Sequence, residues 1–213
     1  MSTLKPAGEP TSKTAESAGL KTYISEPKSG EPKCFFFFFF PDGYGPFNLH
    51  NQLMQDFFAE NGFLVLGIDY FFGQHFTEEI MKDSQNTGFD VNVWTDNART
   101  RAGLEVPKWV KAVKEHYGND KKYAVVEYWF GVRRIADEPF QIVTNNDKRF
   151  LPQARHCAGC ILHEIGATFH FRIFSGVEEG FTIRRDYKVE NSRWAEEKAA
   201  ATVLGFFSRY LTT

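Results

Sequence analysis

The chain has 213 residues, 42% of them hydrophobic and 16% aromatic, which is enough to fill one core of two or three layers. Its 25 basic and 27 acidic side chains give a net charge of −2, so neither nucleic acid nor an anionic membrane is expected as a partner. Three cysteines are too few for a disulfide framework, and the N-terminus lacks the basic-then-apolar order of a secretory signal. No apolar run approaches the ~20 residues that span a bilayer, so we expect a cytoplasmic protein.

The first 20 residues are rich in Ser, Thr, Lys, Gly, Pro and Ala and contain almost no large apolar side chain. Such a segment cannot offset the entropy lost on ordering, so residues 1–20 are predicted to be a disordered tail. One α/β domain is expected over residues 21–213, beginning with an edge strand at residues 21–25.

Strands and helices then alternate along the chain. Phe35–Phe40 lacks a polar alternation, which predicts a strand buried on both faces of a sheet. Residues 74–101 are polar and turn-rich, with an aromatic anchor at Trp94, and predict a cap or crossover. Further strands are predicted at residues 63–68, 123–128, 140–144 and 168–174, and helices at residues 49–61, 106–117, 151–165 and 194–211. This order predicts a mostly parallel α/β sheet flanked by helices, with its ligand site at the carboxyl ends of the strands.

Three loops are predicted at that edge, at residues 42–45, 69–73 and 127–131. In α/β-hydrolases the last of these carries the catalytic nucleophile on a strained turn with the pattern G-x-S-x-G, or its Cys version. Here the pattern reads EYWFG, with Trp129 at the nucleophile position. An indole has no nucleophilic heteroatom, so the place for the chemistry is present without its nucleophile.

Several short motifs along the chain together resemble those of one protein family. They are GLKTY (residues 19–23), PDGYG (41–45), DYFFG (69–73), Tyr128 with residues 130–131, NND (145–147), IGAT (165–168), FSGVE (174–178) and GF (180–181). In this order they resemble the dienelactone hydrolase family, in the form common in filamentous fungi, from Leu20 to Leu211.

The resemblance implies an α/β-hydrolase fold without a cofactor. It also implies a Cys-His-Asp triad that opens small lactones or esters through an acyl-enzyme, as in secondary metabolism. The family's cysteine falls on Trp129, its histidine on Glu179 and its aspartate on Asp147. Asp42 matches an acidic position beside the first loop, and the N–H groups of Gly43 and Phe130 match the oxyanion hole. Expected substrate contacts are Tyr44, Phe72 and Arg184.

The resemblance also implies a helix and a further strand after the nucleophile turn, whereas only residues 132–139 lie there. A parallel crossover needs about a dozen residues or more, so that unit is predicted to be missing, either naturally or through a faulty gene model. The exposed apolar edge predicts a marginally stable protein or a homodimer.

Several residues allow two interpretations. Cys157 and Cys160, with His156 and His163, could form a metal or redox site, but a solvated helix face is favoured and no metal is predicted. Trp129 could line a pocket or fill space. Tyr44, Phe72 and His75 could touch a ligand or only cover the sheet. Arg184 and Arg185 could lie near the substrate or on the surface.

Two functional classes therefore stay open. One is a hydrolase of small lactones or esters, which the family resemblance favours. The other is a pseudoenzyme that binds a ligand or partner, which Trp129 and Glu179 favour. Glu179 and Asp147 could form an acid/base pair, but an exposed loop charge at Glu178 and Glu179 is favoured.

Overall fold

The computed structural model describes residues 9–28, 35–77, 79–80, 88–128, 140–144, 152–164, 166, 170–183 and 188–211. The chain divides into two compact units, Met1–Gly131 and Val132–Thr213. The first unit contains β1 (Lys13–Ser17), β2 (Leu20–Ser25), β3 (Phe35–Phe40), α1 (Leu49–Glu60), β4 (Leu64–Ile68), α2 (Val91–Tyr117) and β5 (Lys122–Glu127). The second contains β6 (Phe140–Thr144), α3 (Pro152–Glu164), β7 (His170–Phe174) and α4 (Glu190–Leu211). The prediction of one domain over residues 21–213 stays a prediction.

The first unit is built on a five-stranded sheet with the order β1-β2-β4-β3-β5. Strands β4, β3 and β5 are parallel, and β2 and β1 add antiparallel pairs at one side. Phe38 and Phe39 lie on opposite faces of β3, yet they are only 2% and 0% exposed. The predicted α/β sheet is therefore confirmed, and β3 is buried on both faces as its apolar run predicts.

The N-terminal segment differs from its prediction. Lys13–Ser17 is a strand rather than part of a tail, and it pairs with β2, so β2 is an internal strand and not an edge. The turn between the strands contains Ala18 and Gly19 at φ 50° and 77°. Most β1 side chains are exposed, so this strand forms through backbone pairing, which a count of apolar side chains does not detect.

A buried carboxylate anchors the segment before β1. Asp56, on α1, is 8% exposed. Its oxygens accept hydrogen bonds from Thr11 N at 2.9 Å and from Ser12 Oγ at 2.6 Å. Ser25 Oγ donates at 2.7 Å and the Tyr23 hydroxyl at 3.1 Å. Residues 11 and 12 are therefore tied to the sheet and to α1.

Helix α2 is longer than predicted. It begins at Val91 rather than at residue 106, so part of the stretch interpreted as a cap or crossover is helical. Asp90 caps the helix by accepting from Asn92 N at 2.8 Å and Val93 N at 3.2 Å. The helix continues through Pro107, which removes one backbone N–H without ending it.

The inner face of α2 packs on the sheet through Trp109, which is 0% exposed. Its ring contacts Phe38, with ring centroids 5.1 Å apart, and its Nε1 donates to Thr22 Oγ1 at 2.8 Å. A buried indole needs such a partner for its N–H. Trp109 therefore connects α2 to both β2 and β3.

In the second unit β6 and β7 form a parallel pair, and the predicted helices on either side of β7 are present. A small core contains Phe174, Val177, Phe181, Ala195 and Ala199. Strand β5 pairs with β3, and β6 pairs with β7. Residues 129–139, where the missing helix–strand unit is predicted, lie outside the described residues.

None of the helices in the described part of the chain is long and apolar enough to cross a membrane.

Candidate active site

Three loops leave the first sheet at the same edge, as predicted. Phe39 pairs with Gly67 and Phe40 pairs with Glu127, so β3, β4 and β5 end nearly level. Tyr128 N donates to Phe40 O at 3.0 Å, which holds the start of the third loop beside the end of β3. The carboxyl edge of this parallel sheet is where α/β proteins bind ligands.

The first loop, residues 41–45, is shaped by a buried carboxylate. Asp42 is 5% exposed, and its Oδ1 accepts from Tyr44 N at 3.2 Å and from Asn51 Nδ2 at 3.0 Å. Asn51 Nδ2 also donates to Gly45 O at 2.7 Å. Asp42, predicted as a candidate catalytic acid, thus holds the turn, and Asn51 fixes it to α1.

Gly43 is buried at the centre of the first loop. Its C=O accepts from Phe76 N at 2.7 Å, and a Cβ added to it would lie 2.5 Å from Phe76 Cδ2. Within the described part of the chain, its N–H donates to no group. Because buried N–H groups are nearly always paired, this one is suited to an oxygen atom of a ligand.

The second loop, residues 69–73, is also built around a carboxylate. Asp69 is 3% exposed and accepts from Phe71 N at 3.1 Å and Gly73 N at 3.0 Å. Phe72 adopts φ 58°, and the Arg101 guanidinium lies 3.8 Å from its ring centroid. The predicted substrate contact Phe72 is therefore half-buried beneath a cation in this structure.

His75 joins the two loops. Its Nε2 lies 2.8 Å from Asp69 Oδ1, and its side chain is 22% exposed. A Cβ added to Gly45 would lie 2.5 Å from the same Nε2, so the ring packs directly on the first loop. Among the described residues His75 Nδ1 has no hydrogen-bond partner. The imidazole is thus fixed at one nitrogen and open at the other.

The segment that carries His75 is anchored by Trp94, as the sequence predicts. Trp94 Nε1 donates to Gln74 O at 2.9 Å. Its ring stacks on Phe71 at 5.0 Å and packs on Phe76 at 4.3 Å between centroids. The first turns of α2 therefore hold residues 71–76 over the first loop.

Glu179 belongs to the second unit, and four other predicted site residues are not described. Glu179 is exposed in the turn between β7 and α4 of the second unit. Trp129, Phe130, Asp147 and Arg184 lie outside the described residues, so their roles stay predictions. The expected meeting of Asp42 with Trp129, Asp147 and Glu179 also stays a prediction.

On α3, Cys157 and Cys160 are exposed, and Cys160 Sγ lies 3.8 Å from His156 Nε2. Among the described residues, no group of three or more His, Cys, Asp or Glu side chains is placed to hold a metal ion.

Two contacts in the candidate site were not predicted from the sequence. Asn51 holds the first loop by hydrogen bonds. The sequence indicates this role only by a polar residue among the apolar positions of α1. The pairing of Asp69 with His75 has a weaker signal, an acid at the end of a strand with an imidazole six residues later.

Comparison with known proteins identifies relatives along nearly the whole chain. No protein-family model matches it. "Dienlactone hydrolase 2" of Gibberella moniliformis is 32% identical over 96% of this chain and 91% of its own length. "Dienlactone hydrolase 1" of the same fungus is 27% identical over 90% of this chain and 85% of its own.

Two solved structures share the fold at low identity. A dienelactone hydrolase-like promiscuous phosphotriesterase, P91, from metagenomic libraries has a TM-score of 0.63 and 13% identity over 93% of this chain and 98% of its own. A putative dienelactone hydrolase from Klebsiella pneumoniae has a TM-score of 0.63 and 11% identity over 90% and 96% of the two chains.

Proposed function

Because the chain belongs to the dienelactone hydrolase family, we propose that it binds small lactones or esters at the first loop and hydrolyses them by direct attack of water. Relatives of this kind support hydrolysis of an ester or lactone bond as the type of reaction. The observation that carries the proposal is that Gly43 is a buried residue whose N–H donates to no group in the described part of the chain.

The proposed role of Gly43 is to bind the carbonyl oxygen of the substrate. Attack on the carbonyl carbon moves negative charge onto that oxygen, and a fixed N–H donor stabilises the charge without reorganising. Losing one such donor typically slows an enzyme by about 10²- to 10³-fold. The family resemblance predicts the Phe130 N–H as the second donor.

The proposed absence of an acyl-enzyme follows from the residues at two positions. Trp129 offers no thiolate, and Glu179 replaces a base poised near neutral pH with a weakly basic carboxylate. Asp147 then has no histidine at position 179 to orient. Binding and an oxyanion hole alone give some 10³-fold over water in triad knockouts, so we expect slow turnover of that order.

The same substitutions favour a second candidate, a pseudoenzyme that binds a lactone-like ligand or a partner without turnover. A role in secondary metabolism fits either candidate and rests on the family resemblance alone.

Rapid mixing with a nitrophenyl ester and with a dienelactone tests the proposal. We expect the natural protein to release product linearly, without a burst, because no residue at the nucleophile turn forms a covalent ester. The double change Trp129→Cys with Glu179→His is the matched comparison and should restore a burst. A burst from the natural protein would contradict the proposal. Saturable binding without release above buffer would favour the pseudoenzyme.

A further inference from the structure

We propose that His75, oriented by Asp69, is the base that takes a proton from the attacking water. This inference rests on the proposed function. It assigns to His75 the proton transfer that the family's histidine performs, because Glu179 stands at that histidine's position. Asp69 and His75 are distant in sequence from Asp147 and Glu179, so the pair is a separate acid–histidine arrangement.

Asp69 fixes one end of the His75 imidazole. Asp69 Oδ1 lies 2.8 Å from His75 Nε2, and the carboxylate is itself held by the N–H groups of Phe71 and Gly73. A buried carboxylate in this position fixes the ring orientation and its tautomer, with the proton on Nε2. A carboxylate in this position orients the imidazole for proton transfer at its other nitrogen.

The other ring nitrogen of His75, Nδ1, is unpaired among the described residues. The Cδ2–Nε2–Cε1 edge of the ring packs on Gly45, which leaves Nδ1 on the other part of the ring. Nδ1 has no hydrogen-bond partner among the described residues, and the side chain is 22% exposed. An imidazole held at one nitrogen and accessible at the other is suited to general-base catalysis.

The same two loops hold His75 and Gly43. Phe76, the residue after His75, donates its N–H to Gly43 O at 2.7 Å and covers the Gly43 Cα with its ring. His75 itself packs on Gly45. The base and the Gly43 N–H are thus held by the same pair of interlocked loops, so their relative geometry is set before a ligand binds.

The reaction balances without a further reactant. The water oxygen bonds to the carbonyl carbon while one water proton moves to His75 Nδ1, and the carbonyl electron pair moves to the oxygen bound by Gly43 N–H. The carbonyl then re-forms and the carbon–oxygen bond of the ester or lactone breaks. The leaving oxygen takes the proton back from Nδ1, which regenerates the neutral imidazole.

A purely structural role for His75 is the alternative, since the ring also staples the two loops together. Glutamine separates the two roles. In His75→Gln the side-chain amide reaches a similar position and still donates to Asp69, but it cannot accept a proton at neutral pH. A structural role of His75 therefore survives this change, and a role as general base does not.

The experiment measures steady-state hydrolysis of a nitrophenyl ester by the full-length natural protein and by His75→Gln. His116→Gln, an exposed histidine at the end of α2, is the matched control. We expect His75→Gln to lower kcat/KM about 10²-fold with an unchanged melting temperature, and the control to equal the natural protein. Added imidazole should restore part of the activity of His75→Ala. Asp69→Asn should lower kcat and leave KM unchanged, as expected for a positioning residue.

The outcomes separate this inference from the proposed function. If the natural protein shows no hydrolysis above buffer, both are overturned. If it hydrolyses the ester and His75→Gln is equally active, only the inference is overturned. A loss in His75→Gln that accompanies unfolding, with no rescue of His75→Ala by imidazole, also overturns the inference in favour of the staple.

Discussion

At the residue scale, the candidate site is held in shape by polar side chains that the protein buries. Asp42, Asn51 and Asp69 are at most 5% exposed, and each fixes a loop backbone through its side chain. Buried polar groups stabilise a structure only when they are paired, so removing one partner leaves the others unsatisfied. The loops are therefore sensitive to single changes beneath them.

Asn51→Ala tests this sensitivity. The change leaves one oxygen of Asp42 and the Gly45 carbonyl without the Asn51 amide. We expect the free energy of unfolding to fall by about 2 to 3 kcal/mol and any esterase activity to fall with it. Urea denaturation measures the first effect. Leu49→Ala, on the exposed side of the same helix, is the control and should change stability by less than about 0.5 kcal/mol.

Tyr23 gives a prediction for alkaline pH. Burial raises the pKa of its hydroxyl to about 12, and the neighbouring Asp56 carboxylate acts in the same direction. A raised folded pKa means that the unfolded chain loses the proton first. The contribution to stability is thus complete below pH ~10 and is lost as the pH rises towards 12. Burial shifts the pKa values of Tyr117 and Tyr123 in the same direction.

We expect the melting temperature to decline between pH 9.5 and about 11.5 and the decline to be shallower in Tyr23→Phe. Thermal melts across that range measure the difference. Equal slopes for the two proteins would show that Tyr23 does not contribute to the alkaline loss of stability. The variant should also be less stable at pH 7, because Asp56 loses one donor.

The sequence indicates some site residues better than others. Asp42, Gly43 and Tyr44 are recognisable because a turn motif at the end of a buried strand has a fixed place in an α/β sheet. Asn51 and the Asp69–His75 pair are not, since their roles depend on which helix and loop pack against that turn. Such contacts come from tertiary structure and leave no local pattern.

At the element scale, α2 determines the position of the second loop, because its first turns carry Trp94. The start of α2 depends on Asp90, whose Oδ1 accepts two backbone N–H groups. Replacing a residue of this kind with Ala costs about 1 kcal/mol in other proteins. The cap is therefore a separable contribution to stability close to the candidate site.

Asp90→Ala should lower the free energy of unfolding by about 1 kcal/mol, measured by urea denaturation. Asp90→Asn is the matched control, because asparagine caps helices about as well as aspartate. If both variants lose the same stability, the effect comes from the charge and not from the cap.

The elements themselves were partly predictable. The buried strands β3 and β4 and the helix α1 have strong apolar patterns, and they appear within one or two residues of their predictions. Strand β1 escaped prediction because its stability comes from pairing with β2 and from the bonds of residues 11 and 12 to Asp56. The early start of α2 was obscured by its polar surface, where the helix is exposed.

At the scale of the whole molecule, strands β3 and β4 of the first unit are buried more deeply than β7 of the second unit. In the first unit Phe39, Val65 and Ile68 are fully buried in the sheet. In β7 of the second unit only Phe174 is buried, and Ile173 is 55% exposed. Local stability follows such burial, so β7 should open more readily than β3 and β4.

Hydrogen exchange followed by mass spectrometry should therefore show the slowest exchange in peptides from β3 and β4. Peptides from β7 should exchange faster at neutral pH, because four of its five side chains are exposed or only partly buried. Equal protection of the two strand sets would contradict this expectation and indicate one cooperative unit.

Strand β3 has a consequence during synthesis, because both of its partners follow it in the chain. Strand β4 is complete about 30 residues after Phe40 and β5 roughly 90 residues after it. At ~5 to 20 residues per second, the second partner emerges about 4 to 18 s later. Throughout that interval a run of six phenylalanines lacks one neighbouring strand, a state that favours association between nascent chains. We therefore expect the recovery of soluble protein from cells to depend on those seconds of translation more than on the stability of the finished fold.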